Sequence, residues 1–176
     1  MALRHLLLLV PVIAGNGPDD KAFIDELEKE NPQCEFSAAQ ANENPRALLD
    51  ELLRRAGRGD FLRTDHWLDT AVLCPGYLPA PDQYTVIDSY KVVSFSVKGK
   101  RARASVEYRY IGTMGPGPDQ KAHIVESRRT ETAVLEMTKT PFGWRFSNET
   151  LTQVYQNVLL KAAVAREHLE APASRP

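Results

Sequence analysis

The chain has 176 residues, of which 43% are apolar and 26% charged. That length suits one domain with a sizeable core and at most a short appendage. The composition excludes collagen-like, mucin-like and wholly disordered chains. Lys and Arg number 22 against 23 Asp and Glu, which excludes a global positive field for nucleic acid. Two Cys are too few for a zinc cluster of their own or a disulfide-dense miniprotein.

Met1 to His5 is a short, positively charged start, and Leu6 to Ala14 is apolar throughout around Pro11. That run is too short for a transmembrane anchor, which needs about 20 residues as a helix. It fits the core of a secretory signal over residues 1–14, cleaved before Gly15. The alternatives are a buried N-terminal strand or a misplaced start codon. The expectation is an exported chain, periplasmic or secreted if the signal is real and cytoplasmic otherwise. Export bears on Cys34 and Cys74, the disulfide candidates. In an oxidising compartment they close a loop of about 40 residues, worth roughly 4 kcal/mol on a chain-entropy argument. In the cytosol they are buried thiols.

Residues 18–31 read as an acidic helix, with Pro18, Asp19 and Asp20 suiting its first turn. From Gly17 to Glu35 seven acids oppose Lys21 and Lys29. Together with an unpatterned stretch up to Asn44, residues 15–43 form an acidic helical arm and linker. A single α+β domain is expected over residues 44–170, and residues 171–176 are read as a disordered tail.

Within that domain Asn44 can cap a helix, Pro45 sits at its first position, and Gly57 ends it. Leu48, Leu49, Leu52, Leu53 and Ala56 recur on one face. A second helix carries Phe61, Trp67, Leu68, Ala71 and Val72 and stops at Cys74-Pro75-Gly76. The period then changes from 3.6 to 2. Tyr84 to Val97 is a strand, and Lys98-Gly99-Lys100-Arg101 is a hairpin turn. Ala102, Ala104, Val106, Tyr108 and Tyr110 alternate with Arg103, Ser105, Glu107 and Arg109 as a half-buried strand. Residues 112–119 read as a Gly/Pro loop. Arg128 to Lys139 is a third strand with Ala133, Leu135 and Met137 inward, and Trp144 to Ser147 a fourth. Thr150-Leu151-Thr152-Gln153 is a capping-box pattern opening a helix of about 20 residues. The fold class is therefore α+β: a curved antiparallel sheet of about four strands against two to three helices, plus a C-terminal helix.

Two stretches carry a family resemblance: the helix end Arg54-Arg55-Ala56-Gly57-Arg58-Gly59-Asp60 and the closing hairpin Phe142-Gly143-Trp144-Arg145-Phe146. With the order of elements, they make the chain resemble the nuclear transport factor 2-like (cystatin-like α+β cone) superfamily from about Asn44 to Glu149. It departs from that pattern in the acidic arm before the core and the long helix after the last strand. The resemblance implies a pocket between helices and sheet. Members include isomerases, hydrolases, dehydratases and non-catalytic binding domains, so the fold alone does not give the function.

An enzyme of this kind needs an acid or base in the pocket. Asp88, Asp65 and His66 are the catalytic candidates. Asp88 faces a pocket if Tyr84, Val86, Tyr90 and Val92 share its side, and solvent if Ile87, Val93, Phe95 and Val97 point inward; both registers are apolar enough to stay open. Trp67, Tyr84, Tyr90, Tyr108, Tyr110 and Trp144 are the ligand-pocket candidates, since aromatic rings with polar tips orient small apolar ligands. From Lys91 to Arg129 nine basic residues oppose three acids, a stripe suited to an acidic partner. There is no phosphate-loop, dinucleotide or HExxH signature and no Cys/His metal spacing, so no cofactor and no metal are expected. The first expectation is non-catalytic binding of an apolar or aromatic small molecule, or a protein segment, in the cone. The second is a protein–protein interaction or homodimerisation module using the basic sheet face and the C-terminal helix. The third is a small isomerase- or hydrolase-like enzyme.

Overall fold

A computed structural model describes residues 18–30, 32, 34, 36–60, 67–75, 83–116, 122–151, 154 and 156–159. Residues 1–17, the Asp65-His66 pair and everything after Leu159 lie outside them.

Helix α1 spans Pro18–Glu30 and buries none of its residues. Among its contacts is a ring pair between Phe23 and Phe36, 5.6 Å between centres. Helix α2, Pro45–Arg58, organises the core. The Asn44 side chain accepts hydrogen bonds from the backbone of Arg46 and Ala47 at 2.9 and 3.2 Å, satisfying N–H groups that have no partner inside a helix. The helix continues past Gly57 to Arg58 and ends on Gly59, whose φ of 66° is left-handed. Gly57 instead lies against Leu159, 3.4 Å from where its Cβ would sit. Helix α3 is short, Trp67–Ala71.

Five strands form one curled sheet: β1 Tyr84–Lys98, β2 Arg101–Pro116, β3 Ala122–Thr140, β4 Gly143–Phe146 and β5 Asn157–Leu159, ordered β4-β3-β2-β1-β5. The first four pair antiparallel in chain order, while β5 lies parallel to β1. The class is α+β, as the change of period implies. Three details differ from the sequence reading. The Gly/Pro stretch from Gly112 to Pro116 continues β2, and β3 begins at Ala122 rather than Arg128. The C-terminal helix is cut short. Asn148–Leu151 form one turn, α4, and the chain then enters β5. The apolar run of Val154, Val158 and Leu159 fits a helix by spacing, but the exposed edge of β1 takes Asn157–Leu159 as a fifth strand.

Leu48, Leu49, Leu52 and Leu53 pack on Ala104, Val106, Leu135, Met137 and Phe146 in the main core. Full burial of such side chains stabilises by about 1.5–3 kcal/mol each. A smaller cluster joins Val86, Ile111, Met114 and Val158 where β1, β2 and β5 meet. Residues 34–42, read as linker, are stitched to the sheet. Cys34 is bonded to Cys74, Ala41 N–H donates to Phe142 O at 2.6 Å, and Asn42 bridges Trp144. Among the described residues no helix is long and apolar enough to cross a membrane.

Candidate functional site

Among the described residues the six aromatic candidates do not meet around one cavity. Tyr108, Tyr110 and Trp144 are buried in the main core, and the two Tyr rings stack at 6.1 Å. Trp67 packs at the core edge, under the Arg55 guanidinium at 4.7 Å. Tyr84 lies against the smaller cluster, and Tyr90 is 37% exposed. The open depressions formed by the described residues take at most one of the six each. Burial holds the Tyr108 hydroxyl far above its usual titration range, with Tyr110 and Tyr90 adding to the shift. Burial likewise raises Tyr110. Neither hydroxyl is tuned to give up a proton near neutral pH.

Asp88 is exposed and Ile87 buried, but Val93 is exposed too, so neither expected register holds along the whole strand. Ile87 pairs with Tyr110 and Ser89 with Arg109, so Asp88 is an extra residue in a bulge. A second irregularity lies between Val92 and Ser94. Each bulge switches the phase of the strand. Ile87, Tyr90, Val92, Phe95 and Val97 are all paired with β2 residues of the helix-facing side as a result. The Asp88 carboxylate is half exposed, 3.6 Å from Arg109 Nη1. It has no second acid or His in a shared cavity among the described residues, where no acid, His or Cys cluster could hold a metal either.

The outer face of the sheet is polar. Cross-strand partners point to the same side, so the register stacks Lys91 beside Glu107, Ser96 beside Arg103 and Glu136, and Lys98 beside Arg101 and Thr138. Its two ends differ in charge balance. Near the bulge, Arg109 sits with Asp88 and Arg128 with Glu126 at 3.8 Å. At the hairpin tip, Lys98 lies directly opposite Arg101, with Lys100 in the turn. Glu136 is the acid at this end, 3.8 Å from Arg103 Nε. Among the described residues Lys98, Lys100 and Arg101 have no carboxylate partner. Like charges directly opposed across a ladder are destabilising. The tip opens into a groove of about 540 Å³, lined by Lys98, Arg101, Arg103 and Glu136 together with Leu73 and Ser147.

The sequence identifies this basic stretch as a stripe but not its split into a balanced and an unbalanced end. That split depends on which acids the register brings alongside. It gives no sign of the role of Arg145, which is wholly buried. Its Nη2 donates to Ser37 O and Ala39 O at 2.8 and 2.7 Å. Its Nη1 donates to Asp69 O at 2.9 Å and, more weakly, to Val72 O at 3.4 Å. Burial pulls its pKa down to about 10, still far above neutral, so the group stays charged. This cation holds the polypeptide together and does not face solvent. No family model matches the chain, and comparison with curated proteins and with solved structures found no match.

Proposed function

We propose that this chain is a non-catalytic interaction domain whose groove at the β1–β2 hairpin tip binds an acidic segment of a partner protein. The observation that carries this reading is the Lys98–Arg101 opposition beside Lys100, which no carboxylate balances among the described residues. A carboxylate-rich segment laid along the groove relieves that repulsion and pairs with Arg101 through a fork-shaped guanidinium. Arg103 and Glu136 set the far end of the groove and favour a segment with a neutral or basic residue there. The packing of Tyr108, Tyr110 and Trp144 into the core favours this reading over a small apolar ligand held among them. The exposure of Asp88 gives no support to a carboxylate base.

The disulfide between Cys34 and Cys74 supports an exported chain working in an oxidising compartment. The curled sheet over helices supports the nuclear transport factor 2-like resemblance.

The test is fluorescence anisotropy of a labelled Asp/Glu-rich peptide titrated with the full chain at low and high salt. Saturable binding that weakens with salt, and is lost in Lys98→Glu/Arg101→Glu, is the expected outcome. Absence of binding, or binding unchanged by the double substitution, overturns the reading.

A further inference from the structure

Among the described residues β3 is paired with β2 along most of its length, broken at Ser127 and Arg128, and on its other side only near its end. β4 takes Met137–Thr140. Just before it, Ser147 N–H donates to Glu136 O at 2.8 Å, and Glu136 N–H donates to Thr150 Oγ1 at 3.1 Å. Lys139 N–H donates to Lys100 O at 2.8 Å, across β2. Peptide groups alternate in direction along an antiparallel strand. Odd-numbered residues from Lys139 down to Arg129 therefore bond towards β2, and even-numbered ones point to the other edge. The outward bonds of Glu136 confirm that phase. Thr130, Thr132 and Val134 then present their N–H and C=O groups at an edge that no described residue occupies. Residues 128–132 are exposed on both faces. Below them, a bulge between Tyr110 and Gly112 interrupts the ladder.

Open edges are usually blunted by Lys or Pro, and β3 contains neither between Ala122 and Thr138. It carries charges instead, and their order decides what fits. A second copy of β3 placed antiparallel about a two-fold axis must set outward residues against outward residues, so the axis passes through a residue. An axis at Arg128, Arg129 or Glu131 sets that charge against itself, which is unfavourable. An axis at Thr132 brings Arg128 against Glu136, whose peptide group is already bonded. An axis at Thr130 sets Arg129 opposite Glu131 twice and places no like charges face to face.

We infer that two copies of this chain join edge to edge through β3, antiparallel about Thr130, making one continuous sheet. Thr130 exchanges both backbone hydrogen bonds with Thr130 of the second copy, and Thr132 meets Arg128 of the second copy on either side. The Arg129–Glu131 pair within one copy, 2.5 Å apart, becomes a closed ring of four alternating charges beside the Tyr110 ring, over which Arg129 already lies at 4.6 Å. The inference goes beyond the acidic-segment reading and uses a different part of the sheet.

Sedimentation equilibrium of the full chain, over a concentration series into the high micromolar range, tests it. A monomer–dimer equilibrium is expected. Arg129→Glu and Glu131→Arg each place like charges opposite and should raise the dissociation constant about tenfold. Combining them restores opposite charges, and the double variant should dimerise like the parent. Thr130→Pro removes the N–H at the axis and should abolish the dimer; circular dichroism shows whether it still folds, and the charge swaps stand without it. A parent that stays monomeric, single variants that dimerise as well as the parent, or a double variant that fails to recover, each overturns the inference. Peptide binding at Lys98 and Arg101 is read separately, so either proposal can fail without the other.

Discussion

The guanidinium carbon of Arg145 lies 4.6 Å from the centre of the Phe36 ring. This contact closes one side of a cage whose other walls are the carbonyls of Ser37, Ala39, Asp69 and Val72. One side chain of β4 thereby holds two segments far from it in sequence, the stretch before α2 and the end of α3. A buried cation normally sits beside a carboxylate; here backbone dipoles and a ring face are what contact the guanidinium.

Removing that cation leaves the carbonyls unpaired. Arg145→Met should cost about 3–5 kcal/mol, read as a lower urea midpoint. Arg145→Lys keeps the charge but cannot reach both pairs of carbonyls from one nitrogen, so it should recover less than half of the loss. Phe36→Leu should cost about 1 kcal/mol. A double-mutant cycle between Arg145 and Phe36 should show coupling of the same size, whereas additive effects would deny the ring its share.

The Cys34–Cys74 bond spans 40 residues. Replacing both Cys by Ser should lower stability by about 4 kcal/mol through the freed unfolded chain. Limited proteolysis should then cut near residues 36–43 sooner in the variant than in the parent. Equal urea midpoints with and without the bond would mean that Arg145 and the backbone bonds of Ala41 and Asn42 hold this segment without it.

Two glycines separate conformational from steric demand. Gly143 has φ 111°, and a Cβ there would lie 2.7 Å from Ala41 O. Gly143→Ala should cost about 2–3 kcal/mol, since neither backbone can yield. Gly99 has φ 58° with nothing within 4 Å of a Cβ, so Gly99→Ala should cost about 1 kcal/mol. Thermal melts of the two variants should differ in that order.

Burial raises the Tyr108 pKa above its unfolded value. The folded state thus favours the neutral phenol, and its contribution is fully present below the unfolded pKa of about 10. It is lost as pH rises beyond that, because the unfolded chain releases the proton first. Melting temperatures should be flat with respect to this group up to about pH 9 and fall above about pH 10. Tyr108→Phe should flatten that fall. A decline as steep as the parent's would assign it to other groups, Tyr110 among them, which burial shifts the same way.

The α2 helix was legible because its signals are local. Asn44, Pro45 and the Leu48-Leu49-Leu52-Leu53 face fix its start and its buried side without reference to the rest of the chain. Alternation did the same for Ala102 to Tyr110, and for Ala133, Leu135 and Met137. The basic stretch from Lys91 to Arg129 was legible as a charge but not as a site, because the balance between its ends depends on cross-strand neighbours. The direction of Asp88 was out of reach for the same reason: two bulges in β1 change phase where no residue announces them.

The helices with strong caps, the strands with clean alternation, the hairpin at Gly99 and the two Cys as a potential pair were readable from the residues alone. Each depends on residues within a turn or two of one another, or on counting. Long-range packing settled that Asn157–Leu159 complete a sheet rather than a helix, that Arg145 is a buried tie, that Tyr108, Tyr110 and Trp144 fill the core, and that Lys98 faces Arg101. Those outcomes depend on which distant backbone edge or carbonyl is left unsatisfied when the chain closes, and local propensity carries no record of that.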